Sequence, residues 1–479
     1  YQQAQGVKQA SSYFTSRIIF VLLAQMQLSD TDIMDHCSKA ESSKSWKGKG
    51  KGRKDSSKRG YQHGKQGKGG KFYGQTDTSG TPHWGKAVKG KGGFIQVEPS
   101  PGIVDFNVNL GAAFATWQVE QVLRPGPADI QVAVRQLSSY SFIDCNVTTP
   151  SMARMIVPGL PKVLGSLGNV GRLDRDTTNI IIDENRLQIP EFPTLPIFTA
   201  VLEVMPEYRF SDVDVVCQST DLRKLLGFLR RDCSGTGMLL GPGGERDSSF
   251  RFDVDVLPAG TLVFTRYESR NVLPSNFLPR NTFGVSFQKR VTQVLPFLPQ
   301  NTSSFNVINS VALGKLNLLV QAEIDAFEDK GSAIEFVPCG NMVRVADVFA
   351  LEVSRGGVSL WPDSGAFVEV KSKSWKSASD IDWLSYYFQM FLGDCKVLIL
   401  GKHKGGHFGE PMRISFEEVC CNAGMENIKK YWEALELLLH KIREVALDSK
   451  VNQLSVLCDG MSGPLHVHVR DSQPLILPF

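Results

Sequence analysis

The stretch that decides the fold is KLNLLVQAEIDAF, residues 315–327, in which apolar and polar residues alternate. Side chains on a β-strand point to opposite faces in turn, so every second residue shares a face. If the stretch is one strand, Glu323 and Asp325 lie together on one face. The other face is apolar and would hold Leu318, Val320, Ala322, Ile324 and Ala326. The sequence therefore predicts a strand that is buried on one side and carries two carboxylates on the other.

A second strand of this kind, AFVEVK at residues 366–371, places its acid about 45 residues after the first one. The same alternation puts Glu369 and Lys371 on one face. Three carboxylates that lie close together repel each other and need a cation, and Mg²⁺ or Mn²⁺ takes oxygen ligands of this type. Such an ion polarises a phosphodiester and lowers the pKa of a bound water. Lys371 would hold the attacking water or neutralise charge on the phosphate.

Each short motif has a simpler interpretation as well. E-x-D and E-x-K are both typical of the solvated face of an amphipathic strand, so a structural core with merely solvated acids is an alternative. The order of the two motifs, followed by a helix and an apolar strand, favours a catalytic site.

The surrounding sequence predicts an α+β protein with a mixed central β-sheet flanked by helices. Residues 379–392 indicate a helix that Ser379 opens, with Asp382 three residues on in a variant of the capping box. Further predicted elements include a helix at 220–229, an apolar strand at 396–400, a long amphipathic helix at 426–447, and strands at 453–457 and 465–469.

The charge of the chain is unevenly distributed. Residues 41–94 contain 14 Lys or Arg against three acids, a net of +11, which leaves −7 for the rest of a chain whose total is +4. Lysine and glycine with spaced aromatic residues suit single-stranded nucleic acid, through phosphate attraction and base stacking. A solvated linker that binds nothing is an equally good interpretation of this composition.

These features predict four segments. They are an amino-terminal segment of uncertain order (1–37), a disordered Lys/Gly-rich basic tail (38–95), a linker or partly ordered segment (96–137) and a nuclease-fold domain (138–479).

The cysteines and the apolar runs indicate in which cellular compartment the protein is expected. Nine cysteines without regular spacing predict no disulfide framework, and the absence of any CxxC pair argues against structural zinc. The apolar run at residues 17–24 is too short to span a bilayer, so no membrane association is expected. A reducing compartment, nuclear or cytoplasmic, is the expected location.

Three segments together resemble a known family. AEIDAF, FVEVKSKSW and YYFQMFLGDCKVLILG are similar to the core of the DXO-type decapping exonucleases, which have a PD-(D/E)XK nuclease-like fold. The resemblance implies that Glu323, Asp325 and Glu369 bind metal, and that Glu369, Lys371 and Gln389 are catalytic. It also implies a substrate class, the 5′ end of single-stranded RNA.

Two positions depart from the family pattern. In VDVVCQSTDLRKLLGFL the family's substrate-contacting arginine aligns with Ser219, and Arg223 and Lys224 follow one turn later. In FGVSFQKRV the family's helix glutamate aligns with Gln288. We assign these four residues to substrate binding. Serine cannot make the bidentate phosphate contact of arginine, and glutamine supplies no anionic charge, which predicts altered substrate choice or weakened activity.

The same segments also resemble fungal proteins labelled geranylgeranyl pyrophosphate synthetases. That activity requires aspartate-rich DDxxD motifs, and this chain has none. The leading hypothesis is therefore a hydrolase of RNA 5′ ends that uses Mg²⁺ or Mn²⁺ and acts on phosphodiester or cap linkages. A catalytically weakened or silent RNA-binding protein that retains the nuclease fold is the alternative. The sequence leaves a protein partner open.

Overall fold

The computed structural model describes fourteen segments, all within one compact unit of the chain. They are residues 106–107, 109–123, 130–143, 152–231, 249–268, 272–273, 282–295, 302–329, 335–337, 343–344, 351–359, 365–377, 381–460 and 463–470. The predicted amino-terminal segment and basic tail lie outside the described residues.

The described residues form strands and helices in mixed order. The first strands are β1 (Leu110–Trp117), β2 (Val132–Ile143), β3 (Ala153–Val157), β4 (Val163–Leu164), β5 (Gly171–Arg172), β6 (Ile180–Ile181), β7 (Val215–Gln218), β8 (Phe250–Val256), β9 (Leu262–Tyr267), β10 (Val272–Leu273), β11 (Thr292–Gln293) and β12 (Phe305–Leu313). The later strands are β13 (Leu316–Ile324), β14 (Ala326–Asp329), β15 (Glu335–Val337), β16 (Val343–Arg344), β17 (Leu351–Arg355), β18 (Gly357–Ser359), β19 (Gly365–Ser374), β20 (Cys395–Lys404), β21 (His407–Phe408), β22 (Met412–Ser415), β23 (Gln453–Cys458) and β24 (Leu465–Arg470). The helices are α1 (Glu184–Gln188), α2 (Leu195–Val204), α3 (Ser219–Arg230), α4 (Gly284–Val291), α5 (Trp383–Leu392), α6 (Phe416–Ala423) and α7 (Met425–Asp448), with short 3₁₀ turns at Val119–Gln121, Phe210–Asp212 and Trp375–Ser377.

Two large mixed sheets organise these strands. One has twelve strands in the order β1-β24-β23-β8-β9-β7-β13-β12-β2-β3-β17-β16, and the other has eight, in the order β11-β4-β14-β19-β20-β21-β5 with β22 beside β20. Parallel pairs such as β19 with β20 occur beside antiparallel pairs such as β12 with β13. The α+β class is confirmed. The single central sheet expected from the sequence is replaced by two large sheets.

The strand predicted at residues 315–327 contributes to both sheets. It runs as β13 to Ile324 and continues as β14 from Ala326, and Asp325 belongs to neither strand. Side-chain direction changes there. Up to Ile324 the even-numbered residues lie in the largest core cluster, whereas beyond Asp325 it is Phe327 that joins this cluster and Ala326 packs in another. Ala326 is thus buried, but not on the face predicted for it.

The helices form near their predicted positions. Asp382 caps α5, because its Oδ1 accepts a hydrogen bond from the backbone N–H of Ser385 at 3.0 Å. Ser379, the predicted opening residue, lies outside the described residues. The long helix α7 extends one residue beyond each predicted end and buries Trp432, Leu435, Leu438, Leu439 and Ile442 in the largest cluster.

Structure also occurs upstream of the predicted domain boundary at residue 138. Strand β1, within the segment predicted as a linker or partly ordered, pairs with β24, and β2 begins at Val132. Among the described cysteines, Cys217, Cys395, Cys420 and Cys458 are buried free thiols and Cys421 is disulfide-bonded. No helix in the described part of the chain is long and apolar enough to cross a membrane.

Candidate active site

Asp325 connects three elements at the point where the chain leaves one sheet for the other. Its Oδ2 accepts a hydrogen bond from the backbone N–H of Val370 in β19 at 2.8 Å. Its Oδ1 accepts one from Nε2 of Gln288 in α4 at 2.7 Å. The break between β13 and β14 therefore sets Asp325 against β19, where the second acidic motif lies. Gln288, one of the predicted substrate-binding residues, is in direct contact with this carboxylate.

Glu369 is the buried acid of the site, with only 1% of its surface exposed. It reaches Asp325 because β14 and β19 pair with Ala326 opposite Val368. Its Oε1 accepts hydrogen bonds from Nζ of Lys371 and from Nε2 of Gln389, the latter at 2.5 Å. Gln389 lies on α5, which connects β19 to its parallel neighbour β20. The helix that follows β19 thus places the side chain of Gln389 in contact with Glu369 of that strand.

The charges of these residues perturb one another. Burial raises the pKa of Glu369, the charge and hydrogen bond of Lys371 oppose this, and the charge of Asp325 raises the pKa further. Burial by itself would lower the pKa of Lys371, but the charges of Glu369 and Asp325 raise it above its ordinary value. Lys371 is therefore a firmly charged ammonium held against a buried carboxyl.

Glu323 is the exposed acid of this group. Desolvation by neighbouring protein atoms raises the pKa of Glu323, and the charge of Asp325 raises it as well. Asp325 thus disfavours the ionised form of both glutamates, as expected when three carboxylates share one region.

Lys162 is a cation near these acids that the sequence motifs did not indicate. Lys162 precedes β4, which pairs with β14, and its carbonyl oxygen accepts a hydrogen bond from the backbone N–H of Phe327 at 2.8 Å. Its charge lowers the pKa of Glu323. The local sequence VPGLPKVL contains no signal for this role, because only the pairing of distant strands places Lys162 there.

The predicted substrate-binding residues are divided by the fold. Arg223 lies close enough to Glu369 for each charge to affect the pKa of the other group, and burial lowers the pKa of Arg223. Ser219 is the buried first residue of α3. Lys224 lies elsewhere, because its Nζ pairs with Glu268 at 2.7 Å. The structure therefore brings Arg223 and Gln288 to the acidic residues and directs Lys224 away from them.

The fit of a divalent ion can be judged from the donor atoms. In the part of the chain that the structure describes, no group of three or more His, Cys, Asp or Glu is arranged to hold a metal ion. Both oxygens of Asp325 already accept hydrogen bonds, and two donors meet at Oε1 of Glu369. The donor set, three carboxylates that repel one another, still fits a hard divalent cation chemically. Binding would require Asp325 to exchange its Gln288 hydrogen bond for the ion.

Comparisons with known proteins add a family and a set of similar folds. The family described as "Domain of unknown function (DUF8563)" matches residues 121–445. Among curated proteins, none matches the chain.

Similar solved structures include a mutant Rai1 of S. pombe in complex with 3′-FADP (11% identity, TM-score 0.47, covering 74% of this chain and 98% of that one). They also include K. lactis Dxo1 in complex with manganese (10% identity, TM-score 0.43, 75% and 96%) and Candida albicans Rai1 in complex with pU5-Mn²⁺ (10% identity, TM-score 0.42, 76% and 92%). At such identities and TM-scores, no residue role transfers from them to this chain.

Proposed function

This chain belongs to the DUF8563 family, and we propose that it is a metal-dependent hydrolase of RNA 5′ ends, acting on phosphodiester or cap linkages. One observation carries the proposal. The buried carboxyl of Glu369 is held between Lys371 and Gln389 beside Asp325, so two motifs from separate parts of the sequence meet at one point.

Glu323, Asp325 and Glu369 would hold the Mg²⁺ or Mn²⁺ ion, which when bound supplies charge neutralisation and an acidified water. Gln389 fixes the orientation of Glu369 by donating to its Oε1. The ammonium of Lys371 would hold the attacking water or neutralise charge that develops on the phosphate. Arg223 and Lys162 add positive charge that attracts an anionic substrate to a site otherwise rich in acids.

RNA is proposed as the substrate because of the sequence motifs, together with these cations beside the carboxylates. The 5′ end is the expected point of attack, and the basic tail is a second candidate contact for single-stranded RNA. A nuclear or cytoplasmic location suits this substrate.

The alternative function is an RNA-binding protein with weak or no catalysis. Its support is the bonding of Asp325, whose two oxygens are both satisfied by protein donors, one of them the amide of Gln288. A neutral glutamine at this position lowers the negative charge available to an ion, and therefore the expected affinity for it.

The two functions are separated by incubating the purified full chain with RNAs that carry 5′-monophosphate, 5′-triphosphate or capped ends, with Mg²⁺, Mn²⁺ or a chelator. The hydrolase proposal expects shortened or decapped product from at least one RNA, only with a divalent ion, and none from the Glu369→Gln variant. Binding of all three RNAs without any product would overturn the hydrolase proposal in favour of the silent RNA-binding protein.

A further inference from the structure

The end of β19 carries an exposed aromatic residue on the path leading away from the acidic site. Lys371 and Lys373 follow Glu369 at intervals of two residues, so the three share one face of the strand. Trp375 comes next and begins the 3₁₀ turn that ends the strand. Its side chain is 67% exposed, the largest exposed fraction of any large hydrophobic residue in the described ranges.

Lysines flank this tryptophan on two sides. In the parallel pairing of β19 with β20, Lys373 lies in register with Lys402. Residues in register on neighbouring strands point to the same face of a sheet, so the two lysines lie side by side. Lys376 follows Trp375 directly and is exposed. Lys373, Lys376 and Lys402, which we call the basic patch, are thus the neighbours of Trp375 along the chain and across the strand pair.

An isolated exposed apolar residue needs no explanation, because such residues are normal on protein surfaces. The position of Trp375 is more informative than its exposure. It lies four residues beyond Lys371 on the chain, a distance of about 13 Å at strand spacing. The basic patch and Trp375 thus lie on the same strand as Glu369 and Lys371 of the proposed site, and they combine positive charge with an exposed aromatic surface.

We propose that Trp375, Lys373, Lys376 and Lys402 form a subsite for the nucleotides that follow the 5′ end in single-stranded RNA. The indole stacks on a base, and the lysines contact the backbone phosphates. Stacking tolerates any base, because every base has an aromatic face. The subsite therefore reads single-strandedness and length, not sequence. Its role in placing the 5′ end rests on the proposed function, whereas its affinity for RNA does not.

The test is equilibrium binding of 5′-phosphorylated oligouridylates, a dinucleotide and a decanucleotide, to the full chain in a chelator that prevents cleavage. Trp375→Ala is expected to weaken decanucleotide binding about tenfold, which is about 1.4 kcal/mol, and dinucleotide binding by less, because the stacking of one base is lost. Trp375→Phe keeps an aromatic ring and should retain most of the affinity. Phe114→Ala is the matched control, since Phe114 is a 50% exposed aromatic on β1 of the other sheet.

Unchanged decanucleotide binding by Trp375→Ala, an equal loss for both lengths, or an equal loss in Phe114→Ala would overturn the subsite. Because the measurement involves no cleavage, its outcome is separate from that of the hydrolase proposal. If the wild type cleaves no RNA and Trp375→Ala still binds the decanucleotide more weakly than the wild type, the subsite stands and the hydrolase proposal fails.

Discussion

Replacing Gln288 by glutamate tests the electrostatics of the site most sharply. The substitution places a second carboxylate where the Gln288 amide now donates to Oδ1 of Asp325 at 2.7 Å. Two unit charges about 4 Å apart repel by about 4 kcal/mol at an effective dielectric constant of about 20. The lost hydrogen bond to a charged group contributes about 1.5–3 kcal/mol more. A proton shared between the two carboxylates would relieve part of their repulsion. We therefore expect Gln288→Glu to lower the free energy of unfolding by about 3 kcal/mol at pH 8 in a chelator.

A divalent ion should reverse this loss, because it neutralises the pair. The assay is urea unfolding followed by circular dichroism, with chelator and with Mn²⁺, for the wild type and for Gln288→Glu. Lower pH should also stabilise the Glu variant, since a proton replaces the ion between the two carboxylates. Gln288→Met is the control, because it removes the hydrogen bond and adds no charge.

The result that would refute this reasoning is a Gln288→Glu variant as stable as the wild type in chelator. A response to Mn²⁺ no larger than that of Gln288→Met would refute it as well. Either outcome would mean that position 288 does not face the acids in solution.

Three further predictions concern other parts of the chain. Burial raises the pKa of Glu184 from 4.5 to about 7, so the stability that this group contributes is present below pH 4.5 and lost as pH rises through 7. Glu184→Gln should reduce the fall in the free energy of unfolding between pH 5 and pH 8 by on the order of 2 kcal/mol, and a fall equal to that of the wild type would contradict it. Lys162→Ala should weaken binding of 5′-phosphorylated RNA and reduce the slope of log affinity against log salt by about 0.7, and an unchanged slope would exclude a phosphate contact. Removing residues 1–95 should lower affinity for single-stranded RNA and flatten its salt dependence without unfolding the rest, and an intact slope would show that the tail is a bystander.

The local pattern of the sequence predicted the elements well where a single face decides burial. The alternation in residues 316–324 and the long stripe of α7 are both local signals, and both elements formed. The break at Asp325 gave no such signal. The alternation in AEIDAF continues unchanged, and the chain changes sheets because β14 pairs with β19, which lies some 40 residues further along.

Part of the candidate site was likewise predictable from the sequence. Alternation grouped Glu369 with Lys371, and the family resemblance pointed to Gln389, whose bond to Glu369 the structure contains. Lys162 lies near the acids only because β4 pairs with β14. Lys224 lies away from them because it forms an ion pair with Glu268, which is distant in the sequence. Contacts of this kind depend on tertiary structure and leave no trace in local spacing.

The central claim is that Glu369 and Lys371 act together in metal-dependent hydrolysis of RNA 5′ ends. Its most direct test is single-turnover cleavage, with Mn²⁺, of whichever RNA the wild type processes, compared among the wild type, Lys371→Ala and Lys396→Ala. Lys396 is the control, because it is an exposed lysine on β20, the strand next to β19, and it pairs with Asp394. We expect a rate about a thousandfold lower for Lys371→Ala, with RNA affinity retained, and a normal rate for Lys396→Ala. Cleavage by Lys371→Ala at the wild-type rate would contradict it.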